Sequence, residues 1–239
     1  RRQPWQCGWD PDFKNLLSAL GGAQYDAIID AQGLLKSASL AWLFKGSVHG
    51  FASESLREAS SAAFYEHHIS VEKNLHAVAR NRELFASALG YKIPVNLSFG
   101  LSALNGGGKP KRDRVVFVHG TTWESKKWPL QHWAELAELT AAAGFKPAIS
   151  WGSEQEQEAA QQIVDMANAG MALPKMRLTE LAKCLGAAAA CVTVDSGIGH
   201  LAAAMGTLTI GIYGATDPRL TGMTGSHSFN LSADFPCAP

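Results

Sequence analysis

The sequence predicts an α/β protein built on parallel, doubly wound sheet. Three observations carry that prediction. From Arg114 onward, short apolar runs alternate with helical stretches at the spacing of βαβ units. One such run, Cys191-Val192-Thr193-Val194, passes through Asp195-Ser196-Gly197-Ile198-Gly199 into a helix of small residues. Strand, glycine turn and helix start make an anion-binding corner, with free amide N–H groups and the positive end of the helix dipole. Earlier in the chain, Ala27-Ile28-Ile29-Asp30-Ala31 ends in Gln32-Gly33 and leads into helical Leu34–Phe44, a further βα unit.

Taken in order, residues 1–10 read as irregular, with Trp5 and Trp9 among polar neighbours. Phe13–Leu20 has helical spacing and stops at Gly21-Gly22. In the βα unit that follows, Asp30, Gln32 and Lys36 stand at the ligand-facing end. Val48–Phe51 is a further strand, and Ser55–Tyr65 and Asn74–Leu89 are helices. The second has an apolar stripe through Leu75, Val78, Leu84, Phe85 and Leu89 and is closed by Gly90. Residues 101–112, with Gly106-Gly107-Gly108 and Lys109-Pro110-Lys111-Arg112, form a linker between domains at 1–100 and 113–239.

Behind it come strand Arg114–His119, helix Leu130–Ala143 ended by Gly144, strand Pro147–Trp151 and helix Glu154–Ala167. Met171–Pro174 is a brief strand, Leu178–Leu185 a helix, and Leu208–Tyr213 the strand after the focal unit. No internal repeat is visible. With two α/β halves, the cleft between them is the natural site.

Composition narrows the function. The 239 residues are 46% hydrophobic and 18% charged, ordinary for a soluble domain or pair of domains. Lys+Arg and Asp+Glu balance at 21 each, so no charge excess argues for nucleic acid. Cys7, Cys184, Cys191 and Cys237 show no CxxC spacing, which suits a reducing cytosol. No run approaches the ~20 apolar residues of a membrane span. His67-His68 has no partners at metal-ligand spacing and reads as surface. A start at Arg1 rather than Met suggests a fragment.

Several stretches carry candidate chemistry, each with a plainer alternative. Gly120-Thr121-Thr122-Trp123-Glu124-Ser125-Lys126-Lys127-Trp128-Pro129 joins a strand tip to a helix. It offers the hydroxyls, amides and positive charge a diphosphate needs, without being a Walker A loop; a solvated loop before a Pro-started helix is the alternative. Asp195 sits at a strand's carboxyl tip, where open α/β sheets bind ligands; Asp195 or Ser196 equally suits an ordinary helix N-cap. Glu156 suits a ribose diol or merely a helix's first turn. Met176 suits an adenine face or a core gap. His200 is a donor to an anion or a cap on the corner. Tyr213-Gly214-Ala215-Thr216-Asp217-Pro218 completes a phosphate cradle or is a plain turn. Arg1, Arg2, Lys36, Arg57 and Arg80 are surface cations or, if they converge, a face for an anionic acceptor.

Tyr25–Ser37, His76-Ala77-Val78 through Arg80-Asn81-Arg82, Gly120-Thr121-Thr122 through Lys126 and Trp128-Pro129, Val194–Leu201 and Tyr213–Pro218 resemble in order and approximate spacing the lipopolysaccharide heptosyltransferase I family. The resemblance spans about Arg1 to Leu231. It implies an inverting glycosyltransferase of the GT-B fold, two Rossmann-like domains facing a cleft, with the N-terminal domain incomplete here. It implies transfer of L-glycero-D-manno-heptose from ADP-heptose to the Kdo of Kdo2-lipid A. No cofactor and no tightly bound metal are expected, because a lysine and backbone donors can neutralise the diphosphate. Thr121, Thr122 and Lys126 would hold the diphosphate, Glu156 the ribose and Met176 the adenine, with Asp195, Ser196, Gly197 and His200 around sugar and phosphates. Lys126 and Asp195 are the catalytic candidates, and Arg1, Arg2, Lys36, Arg57 and Arg80 face the acceptor.

The resemblance further implies peripheral work at the cytoplasmic face of the inner membrane. Ser196 stands where the family usually has Thr, keeping the hydroxyl. The family's Ser-Ser-x-Gly-Asp loop, which carries its general base, precedes Arg1, and its final helix follows Leu231; the chain as written is therefore expected to be inactive. Heptosyltransferase II and a non-catalytic nucleotide-sugar-binding module are the rival readings; the Asp-Ala-Gln-Gly-Leu-Leu-Lys-Ser stretch favours type I.

Overall fold

The computed structural model describes residues 11–101 and 113–232. Arg1, Arg2, the irregular start, Cys7, Cys237 and all of the expected linker but residue 101 lie outside the described residues. Contacts divide the chain into two compact units, Arg1–Val95 and Asn96–Pro239.

In the first unit, α1 (Pro11–Gly21) precedes β1 (Ile28–Asp30), α2 (Leu35–Ala41), β2 (Val48–Phe51), β3 (His67–Ile69) and α3 (Ala77–Leu89). The three strands are parallel in the order β1-β2-β3, with Ile28 opposite Val48 and His49 opposite His67. Ala38 and Ala41 of α2 and Leu84 of α3 close on Val48, Phe51, Leu56 and Tyr65. Gly50 permits this, because a Cβ there would lie inside the Tyr65 ring. α3 ends at Gly90 with φ +70°, the left-handed stop its sequence predicts.

One expectation needs correcting here. Ser55–Tyr65 is not an α-helix but two 3₁₀ turns, Ser53–Ser55 and Ala59–Phe64. Its serines bind backbone instead of leaving it to a helix: Ser55 Oγ donates to Val71 O at 2.6 Å, and Ser61 Oγ to Glu58 O at 2.7 Å. His67-His68 is exposed as expected, yet it forms most of β3.

The second unit runs β4 (Arg114–Val118), α4 (Leu130–Ala142), β5 (Lys146–Ser150), α5 (Glu154–Ala167), β6 (Met171–Ala172), α6 (Leu178–Ala187), β7 (Ala190–Val194), α7 (Gly197–Ala204), β8 (Leu208–Tyr213), α8 (Pro218–Thr221) and β9 (Ser228–Ser232). All six strands are parallel, in the order β6-β5-β4-β7-β8-β9. Alternation along β4 feeds two cores. Val115 and Phe117 pack with Trp133 of α4 and Ile163 of α5 on one face. Val116 and Val118 pack with Leu185 of α6 and Ala202 of α7 on the other. The chain winds outward in both directions from β4 and β7, so the order reverses between them. That reversal opens a crevice above their carboxyl ends.

Candidate functional site

The site is built on three loops at that edge. The first leaves β4 through Gly120-Thr121-Thr122 and makes a 3₁₀ turn at Glu124–Lys126, with Lys126 N–H donating to Trp123 O at 3.0 Å. The second leaves β7 through Asp195 and Ser196. The third leaves β8 through Gly214, Ala215 and Thr216.

Ser196, not Asp195, is the N-cap of α7. Its Oγ accepts from Gly199 N–H at 3.2 Å and lies 3.0 Å from Thr193 Oγ1. Gly199 is obliged by packing: a Cβ would stand 2.5 Å from Met223 Cε and 2.6 Å from Thr193 Cγ2. The helix therefore starts close against its strand, with its first amides at the crevice.

Asp195 is released from capping for another partner. Lys126 Nζ donates to its Oδ2 at 2.6 Å, with side-chain exposures of 21% and 9%. Thr216 Oγ1 donates to the same oxygen at 2.8 Å. One cleft of about 570 Å³ is lined by Thr121, Thr122, Lys126, Glu156, Asp195, Ser196, Gly197 and His200, together with Thr216. These are the expected donor residues apart from Met176, which packs instead against the core of Val116, Leu173 and Leu185 and lines neither this cleft nor its neighbour.

Glu156 is at the cleft and in the capping role at once. Its Oε2 accepts from Gly152 N–H at 2.7 Å and Ser153 N–H at 3.2 Å, while Ser153 Oγ accepts from Glu156 N–H at 3.3 Å. A Cβ at Gly120 would collide with Glu156 Oε1, so the β4 loop approaches the carboxylate closely. A second cavity, about 600 Å³, shares Gly120, Thr121, Thr122 and Glu156 and adds Trp128, Gln155 and His119.

His119 was missed by sequence reasoning, where it only ended a strand. It is 6% exposed, and neither ring nitrogen has a hydrogen-bond partner. Burial holds its imidazole below the usual histidine range, against the opposing pull of Glu156.

In the first unit Asp30 turns away from a ligand role. It is 6% exposed and accepts from Gln32 N–H (2.9 Å), Gly33 N–H (3.2 Å), Ser37 Oγ (2.9 Å) and Tyr65 Oη (2.8 Å). It fixes the turn after β1. Lys36 and Arg57 are exposed. Arg80 lies with its guanidinium 4.8 Å from the Phe51 ring centre and donates to Ser55 O at 2.6 Å. All three belong to segments leaving the carboxyl ends of β1, β2 and β3.

Parallel α/β units, one with a cleft above the point where its strand order reverses, form the fold class of the GT-B glycosyltransferases that the chain resembles in structure. The chain belongs to glycosyltransferase family 9 (heptosyltransferase), whose description matches residues 13–239. Lipopolysaccharide heptosyltransferase 1 of Pseudomonas aeruginosa is 40% identical over 242 residues, covering 100% of this chain and 68% of that protein. Escherichia coli heptosyltransferase WaaC, solved with ADP, superposes with a TM-score of 0.86 at 36% identity, covering 96% of this chain and 74% of that one. The same enzyme with ADP-2-deoxy-2-fluoro heptose gives 0.83 at 36% identity, covering 95% and 73%.

Proposed function

We propose that the cleft above β4 and β7 binds ADP-heptose and that the protein transfers L-glycero-D-manno-heptose to the Kdo of Kdo2-lipid A in lipopolysaccharide core synthesis. The observation that carries this reading is the convergence of Lys126, Asp195 and the first turn of α7 in one cleft with Thr121 and Thr122. Solved relatives titled as complexes with ADP and a fluorinated ADP-heptose support it.

In a single inverting displacement, the acceptor hydroxyl oxygen bonds the anomeric carbon as that carbon's bond to the diphosphate oxygen breaks. The acceptor proton leaves to a base, and the electron pair leaves with ADP. Negative charge grows on the β-phosphate as the bond breaks. Lys126, the two threonine hydroxyls and the α7 amides are fixed before that moment, so they stabilise the transition state more than the ground state. Charge compensation is thereby assigned to this chain's own ammonium and amides.

Lys36, Arg57 and Arg80 are assigned to the anionic acceptor. No helix among the described residues is long and apolar enough to cross a membrane. We assign meeting with the lipid-linked acceptor to peripheral contact at the cytoplasmic face of the inner membrane.

The test is transfer by the full-length protein from ADP-heptose to Kdo2-lipid A and, in parallel, to its monoheptosylated form. Product from the first acceptor alone is expected. Product from the second alone would assign heptosyltransferase II activity. ADP binding with transfer to neither would leave a nucleotide-sugar-binding module.

A further inference from the structure

Thr216 takes no part in the transfer step as described above, yet it shares an oxygen with the central ion pair. Lys126 Nζ and Thr216 Oγ1 both donate to Asp195 Oδ2, at 2.6 Å and 2.8 Å. No hydrogen bond to Oδ1 is found among the described residues. In the open cleft the lysine and aspartate charges cancel. A nucleoside diphosphate ester brings two negative charges to the same ammonium and competes for it. Once Lys126 turns to phosphate, Asp195 is a carboxylate only 9% exposed beside an anion, and it needs a donor that the phosphates do not claim.

Thr216 meets that need because another element holds it. It follows β8 and directly precedes Asp217, the N-cap of α8. Asp217 Oδ1 accepts from Arg219 N–H at 2.8 Å, and its Oδ2 pairs with Arg219 Nη2 at 2.7 Å. The Thr216 backbone is thus anchored independently of the β4–α4 loop that carries Lys126. An Asp195 held at Oδ2 keeps Oδ1 for a hydroxyl of the donor sugar.

We propose that Thr216 is a positioning residue of the transfer reaction, holding Asp195 in place for the donor sugar when the donor's diphosphate draws Lys126 away. The proposal rests on the donor-site reading above and adds a residue to it.

The experiment compares wild type, Thr216→Val and Thr216→Ser in the full-length protein. It measures ADP and ADP-heptose affinity by calorimetry, thermal midpoint, and kcat and KM with Kdo2-lipid A. For Thr216→Val, ADP affinity should stay within about twofold and the midpoint within about 2 °C, while kcat falls about tenfold or more. Any gain in affinity from ADP to ADP-heptose should shrink with it. Thr216→Ser should restore both. Wild-type kcat and sugar affinity in Thr216→Val would overturn the proposal. So would a kcat loss matched by equal losses of ADP affinity and midpoint, which marks a structural role. Absence of ADP binding in wild type would overturn the donor-site reading itself, and this proposal with it.

Discussion

Lys126 and Asp195 stand 69 positions apart in sequence, and their side chains meet at 2.6 Å above the reversal point of a parallel sheet. On the proposed reading, the Lys126 ammonium turns to the diphosphate of the donor as ADP departs. In the full-length protein Lys126→Ala is therefore expected to lower kcat by about a hundredfold or more. Turnover within about threefold of wild type would remove the diphosphate assignment.

Ser196 joins stability to the site, since its Oγ caps α7. Ser196→Ala should cost about 1 kcal/mol in chemical denaturation, and Ser196→Thr should cost much less by keeping the oxygen. Equal stability of the alanine variant and wild type would contradict the cap.

Gly199 has no room for a side chain beside Met223 and Thr193. Gly199→Ala is expected to destabilise by about 1–3 kcal/mol and to weaken ADP binding, because α7 must move off β7. Unchanged denaturation and unchanged ADP affinity would contradict the packing.

Asp30 separates structure from ligand binding. Its four hydrogen bonds are internal to the first unit. Asp30→Ala should destabilise by about 3 kcal/mol with ADP affinity unchanged. A stable variant that had lost acceptor affinity would restore the ligand-facing reading.

Histidine burial sets an acid limit. Burial lowers the His119 pKa from 6.5 and so favours its neutral form in the fold. His49, stacked on His67 with ring centres 4.4 Å apart, is lowered by burial and then by His67. Above 6.5 folded and unfolded states are both neutral and the groups contribute nothing to the difference. As pH falls through 6.5 the unfolded chain takes up protons first, so stability falls. The thermal midpoint should drop between about pH 7 and about pH 5, and His119→Gln should flatten part of the drop. Parallel pH curves for the two proteins would contradict the assignment.

The readability of the sequence varied with burial. β4, β5 and β7 were legible because most of their residues are buried between two helical layers, which leaves apolar runs; β8, half of it buried, was legible from its β-rich run. α5 was legible as the helix Glu154–Ala167, but not its cap, in which Ser153 and Glu156 close the first turn on each other. β3 and β9 were not, because His67–Ile69 and Ser228–Ser232 are mostly exposed and owe their strand form to pairing alone. Site chemistry followed the same line. The spacing of strand tips pointed to Lys126 and Asp195, since a loop after a strand has one place to go. Spacing does not say which way a carboxylate points, so Asp30 read as ligand-facing when it is tied to its own turn. Nor does it show that Thr216 reaches Asp195 across 21 positions.

The most direct test of the central claim is calorimetric titration of ADP into the wild-type protein and into Lys126→Ala. The account predicts saturable one-site binding to wild type and a loss of at least about tenfold in the variant. Equal ADP affinity in the two proteins would contradict it.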